Sequence, residues 1–461
     1  MLNTYSSIGS LYCKLKRYEQ ARQQYEKKLQ FINNDDQNGI GLCYIQMGWC
    51  YMREKSTDQA LDYYLKSSKL CSESSTLLDA YLGLCDCYFS KKDFDQALVY
   101  YNKAIEYTED KEVARKINLF MGKSECYQHK LDYEQALEEY KTCLKLIILN
   151  DDNKQQQSIV KVLLNSNKSN NDDDTNDIVY YTDLIDDNQI ENDQLATIYN
   201  DIGFCYYKLN FYLLSLKYYK KSLYLYSTAT TMTEQQQKLN CKLLSIISSL
   251  YSILSNNKMA LDYAFKYLRI LEAIELRQNQ EQIELANCYN NIGWYYYSDD
   301  EHKLALDYCQ EAIDLYQQLT LETVDEQQNY ANAWSSLAVI YYDLDQISEC
   351  FDCCQKSMKI FYKTSTTSHG AVGFNYELYA NLHLKNGQRW VAEEFYRKAL
   401  NIIKTHAPFE LQAITRIENN YEVHFSFRLC LKTSLVGILI SLAVEPCQVL
   451  TDQTIPASEK F

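Results

Sequence analysis

A pattern of small and aromatic residues recurs in nine units along the 461 residues of this chain, its full form being small, two residues, Tyr, eight residues, small, three residues, Tyr, two residues, small. It is clearest at Gly48, Tyr51, Ala60, Tyr64 and Ser67, and again at Gly203, Tyr206, Ser215, Tyr219 and Ser222. A repeat this regular folds as an array of like packing units, so function is expected on the array's surface rather than in a buried catalytic pocket. With the central small residue as marker, the units fall at Ala21, Ala60, Ala97, Ala136, Ser215, Ala260, Ala305, Cys350 and Ala392, separated by 39, 37, 39, 79, 45, 45, 45 and 42 residues.

Apolar residues recur at three- and four-residue intervals on both sides of short polar turns such as Lys91-Lys92-Asp93 and Asn386-Gly387-Gln388. Each unit therefore predicts two amphipathic helices folded as a hairpin. A Gly, Ala, Ser or Cys three residues before a Tyr lets one helix approach its partner closely while the ring fills the adjoining space. Gly and Pro together number 15, too few for a sheet protein with tight turns.

These offsets resemble the tetratricopeptide-repeat family, most closely at Tyr289-Asn290-Asn291-Ile292-Gly293-Trp294-Tyr295-Tyr296, and the resemblance covers about residues 2–406. The helix-ending Pro of that family is missing, since the chain holds only Pro408, Pro446 and Pro456. The longer units from Leu195 to His406, with Asn pairs in their first helices, are similar to kinesin light chain and nephrocystin-type arrays. The expected fold is all-α, a right-handed α-solenoid of about nine helix-turn-helix hairpins closed by a C-terminal capping helix. Four regions follow: residues 1–150 with four repeats, an acidic insertion or degenerate repeat at 151–194, five longer repeats at 195–407, and a capping helix with an apolar tail at 408–461.

The formal charge is −15, and residues 151–194 alone contribute eleven Asp/Glu against three Lys. Such acidity excludes the clustered Lys and Arg that a phosphate backbone requires, so nucleic acid is not an expected partner. Within the insertion, Ser158 to Leu164 and Ile178 to Ile185 predict short helices around a polar acidic loop that could hinge the two halves. Asp172, Asp174, Asn176 and Asp183 fall at calcium-loop offsets, but Asp177 stands where that loop needs Gly, and the closing Glu is an Asp. A solvated charge run is the expected reading. Phe409 to Leu431 predicts the capping helix. Leu435 to Val444 is an apolar run of ten residues, short of the roughly 20 that span a bilayer, so membrane association is disfavoured.

Met1 opens on a polar amphipathic helix with no apolar signal segment, which predicts a cytoplasmic chain with reduced thiols. Cys50, Cys87, Cys126 and Cys205 share one repeat position, just before the signature Tyr, as small packing residues do. Cys350, Cys353 and Cys354 cluster on one predicted helix without the further ligands a metal would need, so their expected role is structural. No P-loop, nucleophile elbow or paired-His motif occurs, and Gly39-Ile40-Gly41 lacks the third Gly of a dinucleotide loop. Neither an enzymatic activity nor a cofactor is expected.

The tetratricopeptide resemblance implies that first helices line a groove and that residues flanking the first signature small residue face it. Those positions are Asn200, Phe204 and Tyr207 in the fifth unit; Asn287, Asn290, Asn291, Trp294 and Tyr297 in the seventh; Asn332 and Tyr342 in the eighth; and Asn381 in the ninth. Asn carries both a donor and an acceptor, so a row of them can bond the backbone of an extended peptide while neighbouring rings take its apolar side chains. The early groove carries Ser6, Ser10, Asp79, Asp86 and Glu125 instead, a mild bias toward a basic segment. The function expected is a scaffold or adaptor binding extended segments of partner proteins. The alternatives are a self-associating architectural array and the regulatory repeat region of a larger enzyme.

Overall fold

The computed structural model describes residues 2–150, 192–228, 233–273, 279–364, 370–406 and 411–425. The insertion's calcium-type offsets and two short predicted helices, and the apolar run at 435–444, lie outside the described residues. All the regular structure described is helical. Among the described residues nine hairpins form: α1 (Leu2–Lys14) with α2 (Tyr18–Phe31), α3 (Gln37–Arg53) with α4 (Thr57–Leu70), α5 (Ser74–Ser90) with α6 (Phe94–Tyr107), and α7 (Val113–His129) with α8 (Tyr133–Asn150). They continue with α9 (Asn192–Lys208) and α10 (Tyr212–Thr228), α11 (Glu234–Ile253) and α12 (Asn257–Ala273), and α13 (Asn279–Tyr297) and α14 (His302–Gln317). Last come α15 (Val324–Asp343) with α16 (Ile347–Lys363), α17 (Gly370–Lys385) with α18 (Arg389–His406), and the final helix α19 (Leu411–Phe425).

Every hairpin turns the same way. Lys16, Lys55, Lys92, Leu131, Asn210, Ser255, Asp300, Asp345 and Gly387 all have positive φ, and each lies five residues before its unit's marker. Each donates its N–H to a carbonyl three residues back, and the following N–H reaches five back, as in Lys92 to Phe89 and Asp93 to Tyr88. This double bond pattern is the Schellman stop, and it satisfies carbonyls that the end of the first helix would otherwise leave open. Eight of the nine left-handed residues are not Gly, so each accepts a backbone cost that the repeated geometry imposes.

The signature small residues and rings meet as the spacing predicts. A β-carbon on Gly48 would lie 3.1 Å from the Tyr64 ring, and one on Gly203 would lie 3.1 Å from Tyr219. Tyr64 also reaches the next hairpin, where a β-carbon on Gly83 would overlap its ring. One buried tyrosine therefore docks within its hairpin and against its neighbour. A second set of rings recurs beside it: Tyr63 lies 5.8 Å from Tyr44 and 5.4 Å from Tyr51. The same triad forms at Tyr81, Tyr88 and Tyr100, at Tyr199, Tyr206 and Tyr218, at Tyr289, Tyr296 and Tyr308, and at Tyr376, His383 and Phe395. Lysines one turn further on cover several of these triads, as Lys66 does over Tyr63 and Lys103 over Tyr100. Each such cation–π contact adds about 0.5–1 kcal/mol at an exposed site.

The chain divides into two compact units, Met1–Tyr263 and Ala264–Phe461, with the division inside α12. In the first unit α8 packs directly on α9, and Tyr140, Cys143, Leu144, Leu195, Tyr199 and Ile202 share one core. In the second, Ile283, Ala286, Ile313, Trp334 and Leu337 pack with Cys309, Cys350, Cys353 and Cys354. The described cysteines are free, and burial pushes the Cys353 thiol up to about 12. The capping helix is present as α19, whose Ile414 and Ile417 pack on Ala392, Tyr396 and Ile403. Arg416 of α19 fastens it through a two-pronged pair with the buried Glu377, at 2.8 and 2.7 Å.

Two substitutions test this packing and turn geometry. Gly83→Ala forces the buried Tyr64 ring to move and lowers stability by about 1–3 kcal/mol. Leu131→Gly, at an exposed left-handed turn, raises it by about 0.5–1 kcal/mol. Urea unfolding of the full chain followed by helical circular dichroism reads both; opposite signs would contradict the assignment.

Candidate functional site

Within the second unit, first helices lie side by side, α13 against α15 and α15 against α17. Their capped starts help fix the register: Thr323 accepts from the Glu326 N–H while the Glu326 carboxylate accepts from the Thr323 N–H, a reciprocal box that sets where α15 begins. These helices carry the second-unit positions expected from the sequence, and the structure sorts them into two kinds.

Some are already occupied. Asn287 accepts from the hydroxyl of the buried Tyr316, and Asn381 accepts from that of Tyr396, so these two asparagines satisfy core phenols. Asn290 faces the Cys309 thiol at 4.0 Å. Tyr297 donates to the Asp343 carboxylate of the next first helix at 2.6 Å, and burial followed by that carboxylate pushes its phenol pKa up. Tyr342 lies under the Lys385 ammonium, 4.1 Å from its ring centroid, and Lys385 also pairs with Asp345 at 2.8 Å. Burial raises the Tyr342 pKa, and Lys385 partly opposes that rise.

Others are free. Among the described residues the side chains of Asn291 and Asn332 form no hydrogen bond, although both are half-buried. Trp294 is 38% exposed and leans on Tyr297 with ring centroids 5.2 Å apart. These first helices thus carry two uncommitted amide groups, one half-exposed indole and the charged side chains of Asp343 and Lys385. The tetratricopeptide resemblance pointed to the amides and the indole; the charges of Asp343 and Lys385 escaped because their roles depend on contacts between successive hairpins.

The first unit's face differs. Asn200 donates to Asp201 at 3.1 Å, and Asp201 accepts from the Tyr140 hydroxyl at 3.2 Å. Phe204 meets Tyr133 edge-on at 6.0 Å and lies beneath Lys208, while Tyr207 is exposed and leans on Tyr212. Asp201 was not anticipated. Burial raises its carboxyl to about 6, against the bonds from Asn200 and Tyr140 that favour its charged form. Burial also raises Asp79, Asp86 and Glu125 on the same series of first helices.

Among the described residues, no group of His, Cys, Asp or Glu is placed to hold a metal, and no helix is long and apolar enough to cross a membrane.

Profiles of the tetratricopeptide repeat match residues 1–73, 78–111, 285–320 and 329–405. They match that repeat in general and do not extend to the kinesin light chain or nephrocystin-type resemblance. Comparison with curated protein sequences finds no match. Among solved structures, the apo form of RapI is similar at 12% identity and a TM-score of 0.51, over 86% of this chain and 99% of that one. Aspartyl phosphate phosphatase F from Bacillus subtilis is similar at 13% identity and TM-score 0.46, over 91% and 98%. The apo quorum sensor NprR from B. thuringiensis is similar at 12% and 0.43, over 78% and 97%. At these identities the likeness concerns the fold alone.

The raised Asp201 carboxyl gives a test with a definite sign. A folded-state pKa above the unfolded value means the folded chain holds the extra proton between about pH 4 and 6, so this group's contribution falls as pH rises through that window. Asp201→Asn should therefore stabilise the chain at pH 7–8 by about 1–3 kcal/mol, with the gain vanishing toward pH 4. Urea titrations at pH 4, 6 and 8 check this, and a variant less stable than the parent at pH 8 would contradict it.

Proposed function

The chain belongs to the tetratricopeptide-repeat family, and from that premise we propose that it is a non-catalytic adaptor holding an extended segment of a partner protein on the first-helix face of α13, α15 and α17. The observation that supports this reading is the pair of uncommitted, half-buried amides at Asn291 and Asn332, on first helices that pack side by side, with the half-exposed Trp294 on the first of them. Asn is a poor helix former, and these two amides, neither of them sealed from solvent, keep a donor and an acceptor available to the backbone of an extended peptide. The indole offers the large, rigid contact area that dominates many recognition surfaces. Asp343 and Lys385, on α15 and α17, then bias the direction and charge of the segment.

Asn287 and Asn381, bonded to Tyr316 and Tyr396, belong to the scaffold in this reading, so replacing them should perturb stability before recognition. The matching experiment uses the triple variant Asn291→Ala, Trp294→Ala, Asn332→Ala. Peptides selected from a random library on the intact chain should bind the variant about 100-fold more weakly, with helicity by circular dichroism unchanged. Equal binding by parent and variant would place recognition elsewhere.

A further inference from the structure

A cavity of about 1040 Å³ opens in the second unit between α16, α17 and α18. It is distinct from the first-helix face: α17 turns Tyr376, Tyr379 and His383 to it, whereas Asn381, five residues beyond Tyr376, lies about 140° around the helix. Its α16 wall consists of Phe351, Gln355, Met358, Lys359 and Tyr362, spaced as one helical stripe, with Lys356 beside them. The opposite wall is a preformed stack. Phe395 lies 5.3 Å from His383, 5.5 Å from Tyr379 and 5.8 Å from Tyr376, and Phe351 closes on Tyr379 edge-on at 5.5 Å. The hydroxyls of Tyr362 and Tyr376 bond at 2.6 Å and tie the two walls together.

Two properties define what such a cavity accepts. Phe351 and Tyr362 remain exposed at its mouth although apolar surface surrounds them, so an aromatic guest would find ring edges and faces already fixed. Its charge is also one-sided: Lys356 and Lys359 are exposed lining residues, and no carboxylate is among the described residues that line it. Lys356 is steadied over the Trp334 ring at 4.2 Å. Two ammonium groups with no carboxylate among the described lining residues give the cavity a local preference for anions.

We propose that this cavity is a second binding site, taking an acidic segment of a partner protein that carries an aromatic side chain. The ring packs against the stack that Phe351, Tyr379 and Phe395 form on the cavity wall, and flanking carboxylates pair with Lys356 and Lys359. The site stands independently of the first-helix face.

The probe is an end-blocked, fluorescein-labelled peptide, Gly-Asp-Glu-Phe-Asp-Phe-Glu-Asp-Gly, with a counterpart carrying Lys at every acidic position, titrated against the full chain by fluorescence anisotropy. The acidic peptide should bind saturably and the basic one should not. Binding should weaken at least about tenfold in the Lys356→Glu, Lys359→Glu variant and in Phe351→Ala. It should be unchanged in Asn291→Ala, Trp294→Ala, Asn332→Ala. The lysine changes are at exposed positions, so they remain informative if Phe351→Ala disturbs folding. No saturable binding, equal binding of the basic peptide, or loss only in the first-helix variant would overturn the proposal. So would a free aromatic carboxylate such as phenylacetate binding where the peptide does not.

Discussion

A buried tyrosine ring set into a notch of small residues is the contact on which this structure depends. Tyr64 fills the space left by Gly48 in its own hairpin and by Gly83 in the next, and neither glycine could carry a β-carbon without displacing that ring. The contact fixes two distances together, that between the helices of one hairpin and that between successive hairpins. Where the ring is replaced by a thiol, as at Cys309 opposite Gly293, the notch is still filled and the close approach persists. The array is therefore built from one interaction used many times, with the left-handed turn five residues before each marker returning the chain in register.

That economy decides which side chains remain for recognition. The signature rings are used in the core, and the recurring triads around Tyr63, Tyr100, Tyr218, Tyr308 and Phe395 take up a further set in stacking. Phenol hydroxyls that end up inside need acceptors, and Asn287 and Asn381 supply them to Tyr316 and Tyr396. What is left uncommitted on the first-helix face of the second unit is small: Asn291, Asn332 and the half-exposed Trp294. Those residues support the proposed peptide site better than the full row of eleven positions that the tetratricopeptide resemblance implies.

The hairpins, their order and the capping helix were legible in the sequence because a helical repeat writes its packing into a fixed register. The turns were legible as short polar breaks, but their left-handed residue was not, since Lys55 or Leu131 carries no signal that would distinguish it from an ordinary helix end. The tyrosines were ambiguous for a physical reason: a ring with one polar tip serves equally in a core, a stack or a surface. Tyr316 and Asn287 are 29 residues apart, and only folding shows that one satisfies the other. The cavity had half a signal, the stripe from Phe351 to Tyr362 on α16; its other wall comes from two further helices that no periodicity links to it.

The central functional claim is that the first-helix face of α13, α15 and α17 holds a segment of a partner protein, separately from the cavity between α16, α17 and α18. Site-specific photo-crosslinking tests it most directly, with p-benzoylphenylalanine placed at Trp294 on α13 and, separately, at the exposed Leu304 on α14. In cell extract, position 294 should yield discrete adducts with partner proteins that position 304 does not. Identical adducts at both positions, or adducts at 304 alone, would contradict the account.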